Sequence, residues 1–389
     1  MASQARDGRV TGYAAAFSYT DEEGRTRRIR VCGPTRADAR EKLKKARDRI
    51  EKGAPARDAT MPVGAWLAHW RATTLAASDR KPATRALYEN LSRLHLEPEP
   101  FGAIRLDKLK PSDVEKLILA MRAKTKPGPK GADGAAPGQP VRALSDSTIR
   151  STYTVLRAGL DGAVRDGLLA KNPAAAVKRP GVERVVAKHL DQAAVGQVLA
   201  AAKDSRYHPA LVLIAATGLR RGEVLALAWD RVNIDAGTLK VAATIGRIGG
   251  DLVISAPKTE RSRRTVPLSR AVVDLLRKHR AAQAAERLRA ANQWRDSGLV
   301  FTTELGRPVD PRNLLRVVET AARAAGVDTD LHTIRHSAAV AWLEAGVHIK
   351  AVADLLGHSS VAITGDIYGH TSDDTARAAV EGLSGALGL

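Results

Sequence analysis

Apolar and polar positions alternate early in this chain, then recur at helical spacing, and finally mix the two periods, which marks out three segments. In residues 1–57, Val10 to Tyr19 (VTGYAAAFSY) reads as a strand, Asp21 to Gly24 (DEEG) as a hairpin turn, and Arg25 to Val31 (RTRRIRV) as a strand alternating basic with apolar side chains. Pro34 and Thr35 introduce a charged helix, Arg36 to Lys52, which Gly53 ends. From Ala59 to Pro180 the spacing is helical. Trp66 and Trp70 lie four apart on one core-facing side, KPATRALYENLSRLHLEP makes a second helix, and PSDVEKLILAMRAK makes a third that opens at Pro111 and Ser112. The stretch TKPGPKGADGAAPGQP, ending at Pro140, is too rich in Gly and Pro to fold alone and reads as a flexible loop. Helix resumes from Ser147 to Leu169, and Asn172 to Leu190 runs extended and basic, as an interdomain linker does.

In residues 181–389, Asp191 caps a helix through Lys203, Pro209 to Thr217 forms an apolar helix, and Gly222 to Trp229 forms a third. Gly237 to Leu268 is strand-rich around a Gly249-Gly250 turn, and long helices follow from Arg270 to Arg289 and from Pro311 to Ala325. The expected class is therefore mainly α with small β elements: an N-terminal ββ(β)α unit (1–57), a helical domain (58–180) and a mixed α/β domain (181–389). No internal repeat is evident.

Charge adds a partner to this picture. The chain has 389 residues, with 62 Lys plus Arg against 42 Asp plus Glu, and the net +20 points to a polyanion whose phosphates those cations neutralise. Aromatic residues make up 4% of the chain, few for stacking unpaired bases, so duplex DNA is favoured. Arg25, Arg27, Arg28 and Arg30 on the small sheet read either as groove-entering DNA contacts or as a solvated edge strand kept soluble by charge. Cys32 is the only cysteine, which rules out an intrachain disulfide and a cysteine-built metal site. P-loop, zinc and paired-carboxylate metal motifs are not apparent, which disfavours an NTPase or a metal-dependent transposase, so no metal and no cofactor is expected. No apolar run is long enough for a membrane span, and the start lacks a signal-peptide stretch, so no membrane partner is expected and the location is cytoplasmic and nucleoid-associated.

Five motifs follow in order: ATGLRRGEVLALAWDRV (Ala216 to Val232), APKTERSRRTVPL (Ala256 to Leu268), LHTIRHSAA (Leu331 to Ala339), LLGHSS (Leu355 to Ser360) and TGDIYGH (Thr364 to His370). Cutting a phosphodiester without a metal requires cations on both non-bridging oxygens as charge builds on phosphorus, and two bidentate arginines supply them. His332 and Arg335 sit at i and i+3, on one face of a helix, while His336 points about 100° away and reads as structural. Only Tyr207 and Tyr368 offer a phenol in this half of the chain, and Tyr207 is outside the motifs.

In this order the motifs resemble the tyrosine recombinase family, the phage-type integrases, across the whole last segment. The helical region looks like that family's core-binding domain, and the N-terminal unit looks like an arm-site DNA-binding domain. The resemblance implies that Arg220, oriented by Glu223 one turn on, and Arg335 clamp the phosphate. It implies that His332 is a general acid/base, Lys258 the donor of a proton to the leaving 5′-hydroxyl oxygen, His358 a support for the transition state and Tyr368 the nucleophile. Arg261, Arg263 and Arg264, near Lys258, read as DNA phosphate contacts.

The reaction implied is site-specific DNA integration and excision through a 3′-phosphotyrosyl bond, by a homotetramer holding two duplex sites of core and arm type, with room for an excision factor and a DNA-bending host protein. The tail from Thr375 to Leu389 reads equally as a segment exchanged between protomers or as a helix on its own domain. Two other classes compete. A type IB topoisomerase uses the same residue types on one duplex, but the separate arm-like unit opposes it. A binding-only architectural protein is opposed by the intact motif set.

Overall fold

The computed structural model describes residues 2–4, 10–20, 26–51, 59–128, 138–183, 188–257, 262–358, 360–368 and 381. They group into two compact units, Met1–Arg184 and Val185–Leu389. The mainly helical class with small sheets holds in both.

The first unit opens with an antiparallel sheet of β1 (Ala2–Gln4), β2 (Val10–Thr20) and β3 (Thr26–Gly33), in that order, with helix α1 (Arg36–Glu51) packed on β2 and β3. Pairing of Ala16 with Arg30 and of Ser18 with Arg28 puts those four exposed residues on one face. The intervening Phe17, Ile29 and Val31 are half-buried on the other. Thr35 starts α1: its hydroxyl accepts the Asp38 N–H at 3.1 Å, and the Asp38 carboxylate accepts the Thr35 N–H at 3.3 Å. The expected DEEG turn, and Arg25 with it, lies outside the described residues, as does the Arg27 side chain.

Helices α2 (Val63–Trp70), α3 (Pro82–Leu91), α4 (Pro111–Ala123) and α5 (Asp146–Arg165) share one core in which Trp66 and Trp70 are 2% and 1% exposed. Their approach to α5 needs glycine there, because a Cβ on Gly159 would lie 2.4 Å from Leu67 and one on Gly162 would lie 2.9 Å from Trp70. The Trp66 indole N–H donates to the Gly159 carbonyl at 2.8 Å. Strands β4 (Thr125–Lys126) and β5 (Val141–Arg142) pair as a short ribbon at either end of the expected Gly/Pro loop, whose residues 129–137 lie outside the described set. The expected extended linker differs at its start. Pro173–Ala176 forms a 3-10 turn, and the buried Tyr153 hydroxyl bonds the Ala174 and Val177 carbonyls at 2.8 and 2.9 Å, so this stretch belongs to the helical core.

The second unit contains α6 (Gln192–Ala201), α7 (His208–Thr217) and α8 (Arg221–Leu225), then a sheet ordered β10 (Arg264–Pro267), β7 (Thr238–Val241), β6 (Val232–Asn233). A separate hairpin joins β8 (Thr244–Ile248) to β9 (Asp251–Ser255) through Gly249 and Gly250, both at positive φ. Helices α9 (Arg270–Ala290), α10 (Pro311–Ala325), α11 (Leu331–Glu344), α12 (Ile349–Leu356) and α13 (Val361–Tyr368) complete it. The helix expected over Gly222 to Trp229 stops after Leu225. The Leu227 carbonyl instead accepts the Val300 N–H at 2.8 Å, and Trp229 donates to Gly298 at 2.9 Å, so a tertiary bridge replaces the next helical turn. Among the described residues no helix is long and apolar enough to cross a membrane, and no group of His, Cys, Asp and Glu side chains is placed to hold a metal.

Candidate active site

The site assembles where α7, α8, β10, α11 and α12 end or begin. Gly218 stops α7 at φ 60°, and a Cβ there would lie 2.7 Å from Leu356. Arg220 is the N-cap residue of α8. Its backbone N–H donates to Glu223 Oε2 at 3.0 Å and its Nη1 donates to Glu223 Oε1 at 2.8 Å. Asp330 caps α11 by accepting the Thr333 N–H at 2.7 Å, which sets the phase that brings His332 and Arg335 round to this side. Helix α12 ends at Gly357, φ 64°, where His358 N–H returns to the Ala353 carbonyl at 3.0 Å.

That helix end is the anchor of the site. The last carbonyls of a helix lack intrahelical partners and carry its negative dipole end. Here each of three consecutive carbonyls receives a different arginine: Leu355 from Arg264 Nε at 2.6 Å, Leu356 from Arg335 Nη2 at 2.8 Å, and Gly357 from Arg220 Nη2 at 3.2 Å. Arg335 also donates from Nη1 to the Gly218 carbonyl and is 2% exposed. The Arg220 side chain remains 41% exposed, so it presents cationic surface to solvent while its base is held.

Burial pushes the Glu223 carboxyl up, but hydrogen bonds and charge from Arg264, and then from Arg220, outweigh it and hold the group ionised below its ordinary value. His358 is pushed down to about 4, by burial first and then by the charges of Arg335 and Arg220. Arginine only donates, so His358 Nε2 accepts from Arg335 Nη2 at 3.2 Å, and Nδ1–H donates to Thr364 Oγ1 at 2.9 Å. Partial burial, then the Arg335 charge, also hold His332 below its ordinary value. His336 stacks edge-on against His332 with ring centroids 4.2 Å apart and is pushed down to about 4 by burial and by His332.

These two shifts give the fold a pH dependence. His336 and His358 stay neutral in the folded chain down to about pH 4, whereas the unfolded chain protonates them near 6.5. Their contribution is fully present above the unfolded value and is lost as pH falls from about 6.5 towards 4. The melting temperature is expected to drop across that window, and in His336→Phe, which keeps a ring against His332, the dependence should weaken by about one proton. An unchanged dependence in that variant counts against the assignment.

Of the residues singled out in the sequence, Arg220, Glu223, Arg335 and His358 are joined by hydrogen bonds, and His332 lies one turn from Arg335. Tyr368 is the last residue of α13, one turn beyond the buried Thr364, and its side chain lies outside the described residues, as do Lys258 and Arg261. Arg263 is exposed on β10's approach, and Arg28 and Arg30 are exposed on the open face of the N-terminal sheet. Arg264, expected as a DNA contact, is instead turned into the protein. Its side chain is 6% exposed and holds Glu223 through Nη2 at 2.9 Å and Nη1 at 3.3 Å. Strand alternation carried the signal, because Arg264 shares a face with Val266, which is 1% exposed, while Arg263 and Thr265 between and before them face solvent. Thr364 had no signal in the sequence.

Residues 188–375 match the phage integrase family model. The chain is similar to a tyrosine recombinase XerC-like protein of Caldanaerobacter subterraneus subsp. tengcongensis, at 29% identity over 94% of this chain and 93% of that one. It is 30% identical to the tyrosine recombinase XerC of Pseudomonas putida, over 60% of this chain and 71% of that one. In fold it is similar to the Tn1549 transposon integrase solved in complex with transposon right-end DNA, with TM-score 0.64 and 21% identity over 83% of this chain and all of that one.

Proposed function

The chain belongs to the phage integrase family of tyrosine recombinases, enzymes that transfer DNA strands, and from that premise we propose that it cuts and rejoins duplex attachment sites through Tyr368. The Tyr368 hydroxyl attacks phosphorus, forming a 3′-phosphotyrosyl bond as the bond to the 5′ oxygen breaks. The leaving oxygen takes a proton, and Lys258 is its donor. Arg220 and Arg335 neutralise the non-bridging oxygens, His332 manages the tyrosine proton and His358 supports the charged phosphate. Reversal by a 5′-hydroxyl from a second duplex exchanges strands without ATP, because the bond energy is kept in the covalent adduct. Two duplexes with two strands each need four tyrosines, which is the reason for four protomers on two sites.

The observation that carries this reading is the convergence of Arg220, Arg335 and His358 on the Leu356–His358 turn, from which the chain runs directly into the helix that ends in Tyr368. A nicked core-site duplex incubated in chelator should trap a protein–DNA adduct on a denaturing gel, with the phosphate on the protein and a free 5′-hydroxyl. A chain that leaves the duplex uncut under these conditions overturns the proposal.

The N-terminal unit, residues 1–57, fits a second DNA site. It carries 15 basic against 8 acidic residues and shows Arg28 and Arg30 on a sheet face that α1 leaves open. Residues 58–180 fit the core-site grip and 181–389 the chemistry. Deletion of 1–57 is expected to abolish mobility shifts on arm-type DNA while keeping those on core DNA; retained arm shifts refute the assignment. A duplex-DNA substrate fits a location in the cytoplasm with the nucleoid. Excision factors and DNA-bending host proteins fit the same reading as partners.

A further inference from the structure

We propose that Arg264 is a positioning residue for catalysis: it fixes Glu223 and the end of α12, and through them it holds Arg220 ready for the phosphate. The proposal rests on the reaction assigned above to this site. Arg264 reaches Glu223 with two nitrogens, at 2.9 and 3.3 Å, the Leu355 carbonyl with Nε at 2.6 Å and the Ser262 carbonyl with Nη1 at 3.2 Å. It packs closely on the turn, since a Cβ at position 357 would lie 2.8 Å from Nη1. With its side chain 6% exposed, Arg264 directs Nε, Nη1 and Nη2 to these protein acceptors.

Its role follows from what its two principal acceptors hold in turn. Glu223 orients Arg220 through both the backbone N–H and Nη1, and the Leu355–Gly357 turn takes Arg220 Nη2 two residues beyond the carbonyl bonded to Arg264. Arg264 therefore fixes both supports of the same guanidinium. Glu223 is 4% exposed, and without Arg264 the remaining cationic partner of this pair is Arg220. A buried carboxylate with half its donors gone rotates towards those left or takes a proton, and either change releases Arg220 from its set geometry.

The test uses the full-length chain and a nicked duplex bearing the core site, mapped by footprinting on the DNA that flanks its own gene. Arg264→Ala is expected to slow single-turnover adduct formation roughly 10- to 100-fold, the scale of losses when a supporting group is removed or a reacting group is misplaced. Duplex affinity should stay within a few-fold. In an Arg220→Lys background the same substitution should slow cleavage no further, because Arg264 acts through Arg220. A merely structural residue would add its effect in both backgrounds. Arg264→Lys, which keeps the charge but lacks the two-pronged grip on Glu223, covers the case in which the alanine variant fails to fold, and the same non-additivity is expected of it.

Wild-type rates in the variants, equal slowing in both backgrounds, or a loss of duplex affinity that accounts for the slowing each overturn the proposal. A wild-type chain that forms no adduct instead overturns the reaction on which it rests, which separates the two failures.

Discussion

Tyr368→Phe is expected to eliminate the covalent protein–DNA adduct, a fall of at least about 10⁴-fold in cleavage, as removal of a nucleophile does. Duplex binding should remain within a few-fold, since the change removes one oxygen and no charge. The structure explains why neither Tyr207 nor Tyr153 substitutes. Tyr207, the other tyrosine of the second unit, is 9% exposed in the core at the start of α7. Burial raises it above the ordinary tyrosine value, and its hydroxyl is bonded to Asn313. In the first unit Tyr153 is held by two carbonyls within the helical core. A persisting adduct on a denaturing gel, with the linkage mapped to another residue, would remove Tyr368 from its role.

Arg335→Ala should lose almost as much, for a different reason. The guanidinium holds the Gly218 and Leu356 carbonyls and His358 Nε2 from a position 2% exposed, so truncation deletes the proposed phosphate clamp and leaves three buried acceptors without this donor. Cleavage should fall by about 10²- to 10³-fold, the effect of losing one preorganised donor to developing charge. Stability should fall by about 1–3 kcal/mol, the penalty for stranding buried polar groups. The Arg335 charge contributes, after burial, to holding His358 near 4, so the His358 imidazole should titrate higher in the variant. Arg335→Lys keeps a charge but not the planar fork and is expected to restore the fold better than the rate. Single-turnover cleavage, chemical denaturation and imidazole NMR check the three effects. Unchanged cleavage in a folded Arg335→Ala chain would exclude it from the chemistry.

The two substitutions differ in what the sequence could say about them. Tyr368 was legible by its place in an ordered motif set and by the scarcity of tyrosines in that half of the chain. Arg335 was singled out as an expected clamp, but its burial and its bond to His358 were not legible. Helix starts were readable at Thr35 and Asp191, whose side chains cap their own helices, because those bonds span about three residues. The end of α8 was not, since the bridge from Leu227 to Val300 ends it from far along the chain.

By itself, then, the sequence determined the class of elements, two of the capped starts, the cationic excess and the order of the motifs, all of which depend on residue type and short-range spacing. The tertiary structure alone decided which groups meet. Arg220 and Gly357 are 137 residues apart, Arg335 and Gly218 are 117, and Arg264 and Leu355 are 91. Helical period places a guanidinium on a face, but the carbonyl it finds depends on the packing of helices and strands across those distances. For that reason Arg264 read as one more basic residue in SRRTVPL and proved to be the buried support of Glu223, while Thr364, with no charge to draw notice, holds the His358 ring.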